Sequence, residues 1–72
     1  MIAEGFAAEA ESAAEELRGA LHAAGLRLPS LHVDERVWDS PSYGTVRLVE
    51  LGSVPPSVAR RLADVVRRGA AS

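Results

Sequence analysis

The sequence predicts a small α+β domain in the order helix, β-hairpin, helix. Three observations carry this reading: a helical apolar period over about residues 3–24, two β-rich runs flanking a turn-forming hexapeptide, and a second helical period that opens on a Pro-Pro pair.

The first segment is rich in Ala, Glu and Leu, all good helix formers. Phe6, Ala10, Ala13, Leu17, Ala20, Leu21 and Ala24 recur at the spacing of one helical face, and Glu4, Glu11, Glu15, Arg18 and His22 fall opposite. Glutamates crowd the early turns, where the helix dipole favours negative charge. Glu11 and Glu15 form a like-charged i,i+4 pair that works mildly against the helix. Gly25 is placed to take the left-handed conformation of a C′ residue. Leu26 at C″ would then meet Leu21 at C3.

The run 30–38 reads as a strand in which Leu31, Val33 and Val37 share one parity. Glu35 interrupts that parity, and the Asp34-Glu35 pair marks either a bulge or an early end. Asp39-Ser40-Pro41-Ser42-Tyr43-Gly44 is dense in turn formers and supplies the hairpin loop. A second strand follows over 45–51, β-branched and apolar except at Arg47 and Glu50. Pro56 suits the first position of a helix, which is expected over 56–68 with an apolar stripe of Val58, Leu62, Val65 and Val66. Ala59 and Ala63 lie alongside that stripe. Gly69 is expected to end the helix, leaving 69–72 frayed. The helices are expected to cover one sheet face together, burying Leu31, Val33, Val46 and Leu48. The other parity carries Trp38, Val49 and Leu51, so the second face is also partly apolar.

At 72 residues the chain forms one domain, 1–72, without repeat or linker. Domains this small usually need a staple. There is no Cys, so disulfides and thiolate metal sites are excluded, and self-association is the staple left. Phe6, Trp38 and Tyr43 are the only aromatics, so Leu, Val and Ala must build the core. Every basic residue is Arg, and the abundance of Ala, Arg, Gly and Val points to a GC-rich, bacterial genome. A net charge of −2 argues against wholesale polyanion binding. No stretch has the features of a signal peptide or the length of a membrane span, so a cytoplasmic protein is expected.

Candidate chemistry is sparse. His32 and Asp34 point the same way from a strand, as two metal ligands would, but no third ligand accompanies them. Ser40, Ser42, Ser53 and Ser57 lie in turn-forming contexts and in no nucleophile elbow. The glycines are dispersed and form no phosphate-cradling loop. No catalytic, metal-binding or cofactor residue is therefore assigned, and no enzymatic activity is expected. Two surface features remain. Arg60, Arg61, Arg67 and Arg68 gather on the last helix as a solvated face or as contacts for an anionic partner, and Arg67 and Arg68 also suit a helix C-terminus. Trp38 and Tyr43 flank the hairpin loop and, with Val49 and Leu51, form a candidate interface.

The stretch Ala20-Leu21-His22-Ala23-Ala24-Gly25-Leu26-Arg27-Leu28-Pro29-Ser30-Leu31 is followed by Val49-Glu50-Leu51-Gly52 and Val58-Ala59-Arg60-Arg61-Leu62-Ala63. Together they resemble a pattern of small actinobacterial proteins of α-β-β-α arrangement that have no assigned activity. The resemblance implies a bacterial regulatory or accessory role and carries over no site residue. The combined expectation is a non-enzymatic adaptor or regulator, homodimeric, that binds another protein. The alternative is a nucleic-acid-binding accessory protein using the Arg-rich helix.

Overall fold

The structure, a computed structural model, describes residues 2–42 and 44–71; side chains are described from Ala7 onward. The side chain of Phe6 and the whole of Tyr43 therefore lie outside the described residues. The chain runs α1 (Ile2–Ala23), β1 (His32–Ser40), β2 (Gly44–Glu50) and α2 (Pro56–Ala71), with the strands paired as one antiparallel hairpin. The expected α-β-β-α order is what forms.

α1 closes as its sequence requires. Gly25 has φ +75°, its N–H donates to the His22 carbonyl at 3.0 Å, and Leu26 N–H donates to the Leu21 carbonyl at 2.8 Å. These are the paired bonds of a Schellman motif. They draw Leu26 onto Leu21, and both join Leu31 in the core, each at most 7% exposed.

The buried stripe of α1 differs from the expected face. Ala10, Ala14 and Leu21 are buried, with Leu17 and Ala24 half-buried, so the inward line steps alternately by three and four. Ala13 and Ala20, assigned inward from the sequence, are exposed. Where Ala stands at both 13 and 14, composition offers no contrast to tell which one packs.

Strand β1 starts and ends two residues later than expected, over 32–40 rather than 30–38. Leu31 N–H donates to the Leu28 carbonyl at 3.1 Å, and this turn carries Leu31 into the core before the strand begins. At the other end Ser40 pairs with Gly44, which shortens the hairpin loop to 41–43. Gly44 takes φ +74°, and the Ser40 Oγ accepts the Ser42 N–H at 3.2 Å.

Of the two sequence readings at Asp34-Glu35, the bulge forms. Val33 pairs with Val49 and Val37 with Arg47, so β1 spends two extra residues here. Asp34 holds the bulge by accepting the Arg36 backbone N–H at 2.9 Å, and Arg47 donates to the Glu35 carbonyl from the facing strand at 3.2 Å.

The second helix departs most from expectation. It runs to Ala71, three residues beyond Arg68. Gly69 does not take positive φ, and in a helix it costs only about 1 kcal/mol relative to Ala, too little to stop it. The Pro55 carbonyl accepts from Val58 and Ala59, which places Pro56 at the first helical position.

α2 does not share the sheet with α1. Among the described residues, no Cα of α2 lies within 8 Å of a Cα in α1 or either strand. Instead Val58, Leu62 and Val65 rest half-buried against the Leu21–Leu26–Leu31 cluster. Arg61 donates to the Gly25 carbonyl at 2.8 Å, fixing α2 to the end of α1. The hairpin is therefore packed by α1 alone, and Val46 and Leu48 are only half-buried.

Candidate interaction surface

The four residues read as an interface occupy different surroundings. Trp38 and Leu51 are 44% and 48% exposed. Val49 faces inward: it sits across the ladder from Val33 and packs against the core cluster. Tyr43 is outside the described residues. Val37, missed from the sequence because it was assigned the buried parity, is 52% exposed. Val37 and Trp38 are successive strand residues and point to opposite sides. Both sides of the hairpin near its tip are thus open.

The arginines of α2 also divide. Arg61 is committed to the Gly25 carbonyl, and Arg68 forms the expected i,i+4 ion pair with Asp64 at 3.0 Å. Arg60 and Arg67 are exposed. They stand seven residues apart, so they project from one side of the helix about 10.5 Å from each other. They border a line of Ala59, Ala63, Val66 and Ala70, all exposed, with Val66 at 62%. The sequence placed Val66 in the buried stripe; the helix is rotated so that Val58, Leu62 and Val65 fill that position alone.

α1 carries the complementary arrangement. Ala13 and Ala20 are exposed and seven residues apart, bordered by exposed Glu9 and Glu16 at the same spacing. Ala10 and Ala13 join Val46 and Val49 around a small concavity of about 170 Å³. Five glutamates against Arg18 leave α1 at net −4, whereas four arginines against Asp64 leave α2 at net +3.

Of the residues weighed for chemistry, His32 and Asp34 line one shallow hollow on β1, with Arg36 beside them. Asp34 binds the Arg36 guanidinium through both carboxylate oxygens, at 2.7 to 3.2 Å. Those side-chain hydrogen bonds, with the Arg36 backbone N–H, lower its pKa from 3.8 to about 2. Its oxygens are thereby occupied by a cation already. The His32 Nδ1–H donates to the Ser30 carbonyl at 2.6 Å. Among the described residues, no group of three or more His, Asp or Glu side chains is placed to hold a metal ion. Ser40 is buried, and its Oγ is engaged with the Ser42 N–H. A larger groove of about 420 Å³ lies along the end of α1, between Arg18, Leu21, Leu26 and Leu31. Arg18, held by Glu15, spends its second nitrogen on the Leu31 carbonyl at 3.2 Å, which braces the groove wall.

No helix among the described residues is long and apolar enough to cross a membrane. No family model, curated protein or solved structure matches the chain.

Proposed function

We propose that this chain is a non-enzymatic interaction protein that acts by binding other proteins, and that it does so as a homodimer. The observation that carries the proposal is its surplus of surface. The chain exposes 5602 Å², against about 4,300 Å² for a compact monomer of its 7.6 kDa. Its radius of gyration is 14.0 Å, where about 11 Å is usual for this length. The excess is about 1,300 Å², and a standard interface takes roughly 800 Å² from each partner. Part of that surface is apolar and mid-sized: Val37, Trp38, Leu51 and Val66. Opposite charge on the two helices and exposed apolar side chains on α2 and the hairpin suit recognition of a partner.

Sedimentation equilibrium at micromolar concentration tests the dimer. The expected mass is about 15 kDa, twice the 7.6 kDa of the chain. Affinity capture from extracts of the source organism, with and without nuclease, tests the wider reading. A protein partner retained after nuclease is expected; a partner lost with nuclease would favour the nucleic-acid alternative. That alternative is weakened by the commitment of Arg61 to Gly25 and of Arg68 to Asp64. Four phosphate contacts would give a log–log salt slope of about −3 to −4. Fluorescence anisotropy on mixed-sequence DNA and RNA near physiological salt is expected to show no micromolar binding.

A further inference from the structure

We propose that α2 of one copy packs antiparallel along α1 of a second copy, and reciprocally, so that Arg60 and Arg67 meet the partner's Glu16 and Glu9 across a seam of alanines. This rests on the homodimer reading above and specifies its interface.

Four observations converge on this occupant. First, the stripes match in pitch: each helix exposes a small-residue line bordered by two like charges seven residues apart, acidic on α1 and basic on α2. Small residues let helix axes approach closely, and charges at the border of such a seam choose the partner and its register. Second, the charges are opposite as whole elements, net −4 on α1 and +3 on α2, yet α2 lies away from the α1 of its own chain. Among the described residues Arg60, Arg67, Glu9 and Glu16 have no partner within the chain. Third, the helix dipoles select the antiparallel sense, which brings the basic end of α2 to the acidic start of α1.

The fourth observation is steric. Pairing Arg67 with Glu9 and Arg60 with Glu16 fixes the register, and in that register Ala63 lies opposite Ala13 and Val66 opposite Ala10. Ala10 and Ala13 line the concavity of about 170 Å³ together with Val46 and Val49, and Glu9 and Arg47 complete its wall. Val66, the most exposed large apolar side chain among the described residues at 62%, therefore enters a mostly apolar hollow. Two such seams, related by a two-fold axis, use the surface that each monomer leaves uncovered. The closed symmetry also stops assembly at the dimer.

Charge exchange tests the seam. One chain carries R60E and R67E, the other E9K and E16K; all four side chains are exposed and none belongs to the core cluster. Alone, each variant sets like charges against like in both seams of its homodimer. Self-association should weaken roughly a hundredfold to a thousandfold, because every substitution acts twice. Mixed, the two chains are complementary in both seams, and a heterodimer of about 15 kDa should form at micromolar concentration. Circular dichroism of each variant checks that helix content is kept.

A second measurement does not depend on altered charge. The chain has no Cys, so A13C and A63C introduced on separate chains give an unambiguous probe. Mild oxidation of the mixture should link A13C to A63C far faster than either variant links to itself. Charge-reversed chains that self-associate as tightly as the wild type, or random cross-linking, would overturn the seam while leaving the homodimer reading intact. A wild-type chain that stays monomeric at a hundred times that concentration would overturn both.

Discussion

Replacing Gly52 with Ala should destabilise the fold far more than its exposed position suggests. Gly52 has φ +81°, a left-handed conformation that costs a residue with a side chain roughly 1 kcal/mol. A Cβ there would also stand 2.4 Å from Ser30 Cβ and 3.3 Å from Ser30 Cα. Overlap of that kind forces the backbone apart, at roughly 1–3 kcal/mol. The two contributions give about 2–4 kcal/mol, against roughly 4–11 kcal/mol for the whole of a 72-residue domain. Gly25→Ala provides the calibration. It carries the same conformational penalty at φ +75°, but the nearest atom is the Arg61 guanidinium nitrogen at 3.4 Å, the end of a flexible side chain. It should cost only about 1 kcal/mol. Ser30→Gly removes the obstructing Cβ, so in its background Gly52→Ala should fall to the same figure of about 1 kcal/mol. Urea titrations followed by circular dichroism, all at one protein concentration, measure the series. If Gly52→Ala unfolds at the wild-type midpoint, or if Ser30→Gly gives no relief, then the chain does not turn against Ser30 as described.

Two further outcomes are expected. Leu21→Ala removes one of three buried leucines and the C3 contact of the α1 cap together; it should cost roughly 2–5 kcal/mol and leave the protein largely unfolded, whereas Glu15→Gln should change stability by less than about 0.5 kcal/mol. Thermal melts of both distinguish these, and a Leu21→Ala variant that melts like the parent would contradict the assigned core. The Asp34 carboxyl should titrate near 2 by NMR, and Arg36→Gln should bring it back toward 3.8. Since its folded pKa is depressed, whatever stability the Asp34–Arg36 pair adds is present above the ordinary carboxylate range and is lost as pH falls through 2.

The parts of the fold that were legible in the sequence are those with strong local chemistry. Gly25 followed by Leu26 specifies a capping motif because only a few residues suit positive φ, and the cap formed with Leu21 at the expected place. Pro56 specifies a helix start because proline lacks the N–H that a first turn leaves unpaired. The Asp34-Glu35 interruption carried a bulge signal because it broke the strand's alternation. What was not legible depended on contrast between neighbours or on contacts far along the chain. Ala13 and Ala14 are identical side chains, so nothing local decides which faces the hairpin. Val49 was set on the outer parity because the pairing of Val33 with Val49, rather than with a residue of the other parity, is fixed by register across the bulge. The position of α2 depended on Arg61 finding the Gly25 carbonyl, a contact spanning 36 residues that no periodicity announces.

The placement of α2 also links stability to association. Its three half-buried residues, Val58, Leu62 and Val65, rest on the Leu21–Leu26–Leu31 cluster at the end of α1 and in the loop after it, and no described residue of the helix is fully buried. A helix of 16 residues near the lower limit for independent stability in water cannot rely on its own propensity. Within one chain, the Arg61–Gly25 bond and those three contacts must hold it. In the proposed dimer the partner's α1 adds a second apolar wall and two carboxylates. The helix should therefore be better ordered in the dimer than in the monomer, and unfolding should depend on protein concentration. The same reasoning assigns different roles to the two apolar regions. In the proposed dimer the stripe of α2 would be covered, while Val37 and Trp38 at the hairpin tip would lie outside the seam. Both are exposed on each copy, so a dimer would carry two such hairpin tips.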